Sequence, residues 1–422
     1  MRGIMRAAII GASAESIHTI KTAQKLGVEV TALDGDAEAA GLKAADNSYV
    51  TDIRDTEAVL ERLKLIQPSF MLTAPIGRFL TTTGAANDAL HLKGVSLKAT
   101  ELCTDKWEFH ETLSRAGLRN CPCFLIAADM WRPDAGQAQR MNALITSITD
   151  NIHYPAIIKP RYGSGSRGIT VAENWEEVQT EFGALSMHAK EDYIIEDMMP
   201  GVEYGVDGAV TGGKFHLILL RRKINTPLPA REAVAYISVR QGDLTQRVES
   251  YLARAVSTLG IDNSLIHCDL MISDEAGDPF IIELSARPSG HNLHNLFTPL
   301  ATGVDEAQEM ILFQCGNKYE FTPRNVRIME IRYFDFTGTA VKVPTEDEAR
   351  QTAAENGCSL EQWKCAIHEG DDMAAPSTGH ILMSRGYMIL GPGDDGDVLT
   401  QDEAGAKLEN TAGKILSLFE IR

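Results

Sequence analysis

The stretch IIKPRYGSGSRGIT, residues 157–170, constrains this chain more than any other. An apolar run ends in Lys159, glycine and serine dominate residues 163–168, and apolar residues resume from Ile169. The pattern reads as strand, loop, strand. Gly163, Gly165 and Gly168 permit positive φ and leave backbone N–H groups uncovered. Ser164 and Ser166 add hydroxyl donors, and Arg167 adds charge. Successive N–H groups beside a lysine form an anion-binding concavity. A Walker loop would lead into a helix and carry its lysine after the glycines, whereas here the lysine comes first. Taken alone, the stretch also fits a hairpin loop with no ligand.

The residues before it alternate strand and helix. AAII (7–10), VEVTALD (28–34) and SFMLTAP (69–75) read as strands, with helices over 15–26 and near 57–65. That rhythm implies a parallel sheet covered by helices, in a chain that is α/β with α+β parts. The first turn, GASAES (11–16), lacks the later glycines of a dinucleotide fingerprint, although Asp34 ends the second strand where a ribose-binding acid would stand. Nicotinamide binding is not expected. Asp105 caps a helix that ends near Gly117; CPCFLI (121–126) is a strand, 127–153 a surface helix between loops, and YPAIIKP (154–160) another strand.

Beyond the glycine loop, DYIIEDMMPGVEYGVDGAV (192–210) holds a strand ending in Glu196, Asp197 and Met198. A strand edge there offers a backbone N–H and C=O to an adenine ring, with Met198 against its face. Glu203, one short turn on, could accept ribose hydroxyls. IHCDLMI (266–272) and PFIIELSARPSG (279–290) then read as a hairpin carrying Asp269 and Glu283. Parity places both carboxylates opposite Leu270 and Ile282, with Ser285 and Arg287 continuing their face. Magnesium takes one or two carboxylates plus phosphate oxygens. The competing reading is a pair of acids on a solvated sheet face.

Composition bounds the partners. The 422 residues suffice for roughly two to four domains. With 44% apolar residues a large core is expected, and a net charge of −18 argues against a nucleic-acid or anionic-membrane surface. The seven cysteines are scattered; only Cys121 and Cys123 are close, and no second Cys/His pair nearby completes a zinc site. They are expected to be reduced thiols in a cytoplasmic protein. The N-terminal apolar run is too short for a signal or membrane segment.

The order of these parts resembles the ATP-grasp superfamily, over nearly the whole chain. The resemblance implies a Rossmann-like domain over 1–102, a two-lobed ATP-grasp domain over 103–320 with its lid lobe at about 124–205, and a small β-rich domain over 321–422. It implies ATP and Mg²⁺ (or Mn²⁺), with Lys106 and Lys159 on the phosphates and Ser164, Gly165, Ser166 and Gly168 in the lid loop. Glu196, Asp197 and Met198 would meet adenine, Glu203 the ribose, and Asp269, Glu283 and Ser285 the metal. Asp269 and Ser285 stand where the family often has Glu and Asn. Lys159 and Arg287 would be catalytic, Arg287 holding the transferred phosphoryl group or a substrate carboxylate.

Within the superfamily, ELSARPSG (283–290) and the tail segments at 326–343 and 369–393 look like L-amino-acid ligases and related carboxylate–amine ligases. That resemblance implies an acylphosphate made from a small carboxylic or amino acid and captured by an amine. Arg231, Glu232, His267, Gly290 and His291 are candidates for the substrate pocket, and His294 lies close by in sequence. A homodimer is expected. A purine-pathway or biotin-carboxylase-like enzyme is the rival, and a non-catalytic nucleotide-binding regulator a second one.

Overall fold

The computed structural model describes residues 5–77, 79–131, 134, 136–163, 168–188, 190–227, 231–273, 279–376, 379–393, 396 and 398–422. Strands β1 (Met5–Ile10), β2 (Val28–Asp34), β3 (Asn47–Val50) and β4 (Phe70–Leu72) form a parallel sheet in the order β3-β2-β1-β4. Ala7 and Ile9 pack with Ile20 and Ala23 of the helix Ser16–Lys25. Ala8 and Ile10 pack on the other face with Val59 and Leu63 of the helix Thr56–Ile66. A parallel strand covered on both faces must be apolar throughout, which is why the sequence runs AAII. Strand β4 is shorter than the expected 69–75, because the chain turns there and Ile76 N–H donates to the Ala74 carbonyl. Asp34 closes the first loop, its carboxylate accepting the Ala12 and Asp36 N–H groups at 2.7 and 2.9 Å.

A second, antiparallel sheet has the order β5 (Cys123–Ile126), β8 (Tyr193–Asp197), β6 (Ala156–Pro160), β7 (Thr170–Ala172). The helices Gln137–Asn151 and Trp175–His188 cover one face, with Leu144, Ile148, Val178 and Phe182 in its core. The expected long helix over 127–153 thus splits into a short 3₁₀ turn at Ala128–Trp131 and the helix from Gln137.

The third sheet is the frame of the molecule. It joins β9 (Val202–Thr211), β10 (Lys214–Asn225), β11 (Ala233–Val239), β12 (Ser264–Ile272) and β13 (Pro279–Ser285) to β14 (Glu330–Tyr333), β16 (Ser359–Cys365) and β18 (Gly386–Gly391), all antiparallel, in the order β13-β12-β9-β10-β11-β14-β18-β16. The helix Asp243–Leu259 lays Val248, Leu252, Ala255, Val256 and Leu259 on one face of it. That spacing is a helical stripe, and each fully buried valine or leucine in it contributes ~1.5–3 kcal/mol. Short strands β15 (Gly338–Lys342), β17 (Asp372–Met373) and β19 (Glu420–Ile421) make a small C-terminal sheet. The helices Glu346–Glu355 and Gln401–Leu416 pack in the same region, each opened by a Thr/Glu capping box.

The hairpin β12–β13 departs from simple alternation. Asp269 pairs with Glu283, but Leu270 pairs with Ile281, so Ile282 is an extra, bulged residue. Ile281 therefore enters the core with Leu270, while Ile282 turns to the cleft beside Glu283. A β-bulge puts two residues opposite one and re-aims a side chain, which strict parity could not show.

Candidate active site

A cleft open to solvent lies between the sheet β5-β8-β6-β7, the helix Lys106–Arg115 and the hairpin β12–β13. Lys106, Lys159, Glu196, Glu283, Ser285 and Arg287 all line it.

Lys106 opens its helix. Asp105 caps that helix by accepting the Trp107 and Glu108 N–H groups. The same carboxylate takes the Arg161 guanidinium in a fork at 2.8 and 2.7 Å and the Tyr162 hydroxyl at 2.9 Å. The near stem of the glycine loop is thereby tied to the start of the Lys106 helix. Lys106 Nζ in turn donates to the Gly163 carbonyl at 2.9 Å. Burial pulls the Lys106 pKa down, and the Lys159 charge adds to this, while Glu283 acts in the opposite direction. A polyanion in the cleft would relieve both effects.

Lys159 leaves the end of β6 and places Nζ 2.5 Å from Glu196 Oε1. Arg119 holds the other oxygen at 2.9 Å. Burial alone would raise the Glu196 pKa, but Arg119 and Lys159 outweigh it and hold the carboxyl down at about 2. The backbone of Glu196 is paired on both sides, to β5 and β6. Asp197 accepts the His153 N–H and faces its Nδ1, both at 2.9 Å. Met198 N–H donates to the Pro155 carbonyl at 2.9 Å, so the N–H offered to an adenine ring is already bonded within the protein.

Glu203, on β9, is a second focus of charge. Its carboxylate takes Lys223 at 2.8 Å, Asn225 at 2.7 Å and Arg231 at 2.9 Å. Lys223 also reaches Asp269 at 2.7 Å. Burial opposes the lysine's charge, yet Asp269 and Glu203 together raise its pKa well above the ordinary range. Asp269 and Glu283 stand directly opposite each other on neighbouring strands and so share a face. Hard oxygen donors on one face suit a magnesium ion.

All of this chemistry between His153 and Arg287 lies within residues 152–294, which match the ATP-grasp domain family. Those residues carry the likeness to an ATP-grasp domain. The chain is 22% identical to the 2-oxoglutarate carboxylase small subunit of Hydrogenobacter thermophilus over 74% of this chain and 66% of that protein. It is 23% identical to the alanine–anticapsin ligase of Bacillus subtilis over 60% of this chain and 56% of that protein. The matched stretches thus span less than two-thirds of those relatives. An L-amino acid ligase structure from Bacillus licheniformis superposes with a TM-score of 0.74 at 18% identity, covering 99% of this chain and 98% of that one. The fold is the ATP-grasp fold, as the resemblance implied.

Ser164, Gly165 and Ser166 lie outside the described residues; Gly168, with φ +70°, comes after them. Arg287 is kept below its ordinary pKa by burial and donates to the Pro288 carbonyl at 2.9 Å. Glu232 is buried, and burial raises its pKa. His267 is wedged between Asp207 and Asp269, 3.9 and 3.5 Å away, and burial keeps it neutral. His291 takes positive φ, its carbonyl accepts the Tyr333 hydroxyl, and burial lowers its pKa to about 4. Gly290 sits so close to Glu15 that a Cβ would lie 3.4 Å from that carboxylate. His294 is fully buried and bonded to the Ser289 carbonyl.

Sequence reasoning missed Arg119, Arg161 and Lys223. The signal for Lys223 was present: LILLRRKIN (217–225) carries charge inside an apolar strand, and buried charges require partners.

Proposed function

We propose that the protein is an ATP-dependent carboxylate–amine ligase. The observation that carries the reading is one cleft lined by Lys106, Lys159, Glu283, Ser285 and Arg287. Phosphoryl transfer mainly requires alignment and charge neutralisation. Lys106 and Lys159 would hold the phosphates of ATP, and Arg287 the transferred group or the substrate carboxylate. Asp269, Glu283 and Ser285 would hold Mg²⁺, which supplies charge neutralisation at the β- and γ-phosphates. A substrate carboxylate oxygen attacks the γ-phosphorus, the bond to ADP breaks, and an acylphosphate forms. An amine nitrogen then attacks the acyl carbon, phosphate leaves with the C–O electron pair, and the amine proton passes to solvent. Gly168 and the loop before it would shield the acylphosphate from water. Glu203, Arg231, Glu232, His267, Gly290 and His291 would form the nucleoside and substrate ends of the pocket.

Similarity to a carboxylase small subunit supports a second reading, in which bicarbonate is the carboxylate. A homodimer also belongs to the proposal.

Phosphate release from Mg-ATP tests both. The purified chain would be given small amino acids singly and in pairs, with formate, bicarbonate and aminoimidazole ribonucleotide in parallel, and products read by mass. Condensation of two amino acids supports the ligase. Turnover confined to bicarbonate or ribonucleotide wells would move the protein to the second reading. ATP binding without turnover in any well, unchanged in Glu283→Gln, would instead mark a nucleotide-binding regulator.

A further inference from the structure

Behind the lysine wall of the cleft lies a cluster of which the ligase reading uses only Glu196. The His110 ring comes from the helix Lys106–Arg115, Cys121 from the bend before β5, Cys123 from the first residue of β5, and Glu196 from β8. His110 Nε2 is 3.4 Å from Cys121 Sγ and 3.9 Å from Glu196 Oε2. The ligand atoms of His110, Cys123 and Glu196 all lie within 4.8 Å of one another. We propose that His110, Cys121, Cys123 and Glu196 bind one thiophilic divalent cation of the zinc class, at a site separate from Asp269 and Glu283.

Geometry, tautomer and charge support it. A tetrahedral ion with Zn–N of ~2.0 Å and Zn–S of ~2.3 Å needs neighbouring ligands ~3.3–3.8 Å apart. The His110–Cys121 contact already meets that spacing, whereas the His110–Glu196 separation is ~0.6 Å longer than the ~3.3 Å an N–O pair needs, so Glu196 draws inward on binding. Ser114 Oγ lies 3.4 Å from His110 Nδ1 and donates its own proton to the Arg119 carbonyl. Its lone pair can therefore accept Nδ1–H and turn the Nε2 lone pair toward the sulfurs, the usual outer partner of a metal-binding histidine. Burial pushes the Cys121 thiol up to about 12, so the sulfurs are protonated without an ion. The step balances: one Zn²⁺ displaces two thiol protons to solvent, and the net charge of the cluster stays unchanged.

Glu196 links this cluster to the cleft. Its Oε2 faces His110 and Arg119, and its Oε1 carries Lys159. Drawing Oε2 toward an ion shifts the carboxylate that positions Lys159. On the ligase reading, which this consequence alone rests upon, occupancy lowers turnover.

The test is titration of the metal-free full chain with Co²⁺, read by thiolate-to-cobalt charge-transfer absorption, then displacement by Zn²⁺. One equivalent should bind, and Zn²⁺ should abolish the band. C121S/C123S should lose the band, and His110→Gln should weaken binding at least ~10-fold. His110→Gln keeps the assignment testable if the double variant does not fold. No charge-transfer band in the parent chain, or an undiminished band in either variant, would overturn the site. Because no nucleotide is present, this outcome is independent of the ligase reading. Zn²⁺ inhibition of phosphate release in the parent but not in C121S/C123S tests the link to Lys159; equal inhibition in both would remove it.

Discussion

Two charged walls, one lining the cleft and the other on the large sheet beside it, use the same pair, a buried lysine on a glutamate, in opposite proportions. On the cleft side Glu196 is shared by two cations, Lys159 and Arg119. On the sheet side Lys223 is shared by two acids, Glu203 and Asp269. Glu196 with Lys159 and Arg119 carries a surplus positive charge, and the extra partner Arg119 sets it. Lys223 with Glu203 and Asp269 has the opposite sign, which Arg231, the second cation on Glu203, offsets. A polyphosphate suits the first wall, and a metal ion or ammonium that takes the place of Arg231 suits the second.

Breaking the shared acid of the positive wall should have the largest effect. Glu196→Gln leaves Arg119 and Lys159 buried without a counter-charge, and loss of one partner from a buried pair costs on the order of 3 kcal/mol. The urea midpoint should fall accordingly. Lys159→Met leaves Glu196 with Arg119, so the midpoint should fall less. Turnover should instead drop ~10²–10³-fold, the usual loss for one group that stabilises transition-state charge. Equal damage to midpoint and turnover in both variants would mean the wall is structural only.

How much of this was legible in the sequence differs between the walls. Lys159 and Glu283 could be read because each ends or alternates within an apolar run, and a strand fixes which way such residues face. Ile282 could not, since a bulge consumes a residue without leaving a mark in the alternation. Arg119 was invisible as a partner because Glu196 is 77 residues away, and only the meeting of the helix, β5 and β8 joins them. The same limit applies to Cys121 and Cys123. A zinc pattern in sequence shows as a second local pair, whereas the histidine that faces these sulfurs comes from the helix before them. The parallel sheet was the most readable part, because burial on both faces leaves an unbroken apolar signature in β1.

The walls should also fail at opposite ends of the pH scale. The Glu196 carboxyl is held at about 2 in the folded chain against an ordinary 4.5. Between those values the unfolded chain binds more protons, so stability is present above 4.5 and is lost as pH falls toward 2. At ~1.4 kcal/mol per unit this contribution is ~3 kcal/mol. Lys223 is raised above an ordinary 10.5. The folded chain holds the proton longer, so its stabilisation is present below 10.5 and is lost as pH rises beyond it. Denaturant midpoints of parent and Glu196→Gln should converge on acidification, and those of parent and Lys223→Met on alkalinisation. Convergence of both pairs at the same end would contradict the polarity.

The smallest predicted effect separates the walls most sharply. Lys223→Met removes the cation that Glu203 and Asp269 share, leaving carboxylates on one sheet face with Glu283 nearby. A divalent cation can replace what the substitution removes, whereas on the positive wall it cannot. Mg²⁺ at ten times its dissociation constant should therefore restore ~1.4 kcal/mol to Lys223→Met by mass action. Lys159→Met should gain no more than the parent does. The check is the thermal midpoint of both variants with and without Mg²⁺, in the absence of nucleotide. A larger Mg²⁺ response in Lys159→Met would reverse the signs given to the walls and would move the metal from the Lys223 wall to the Lys159 wall.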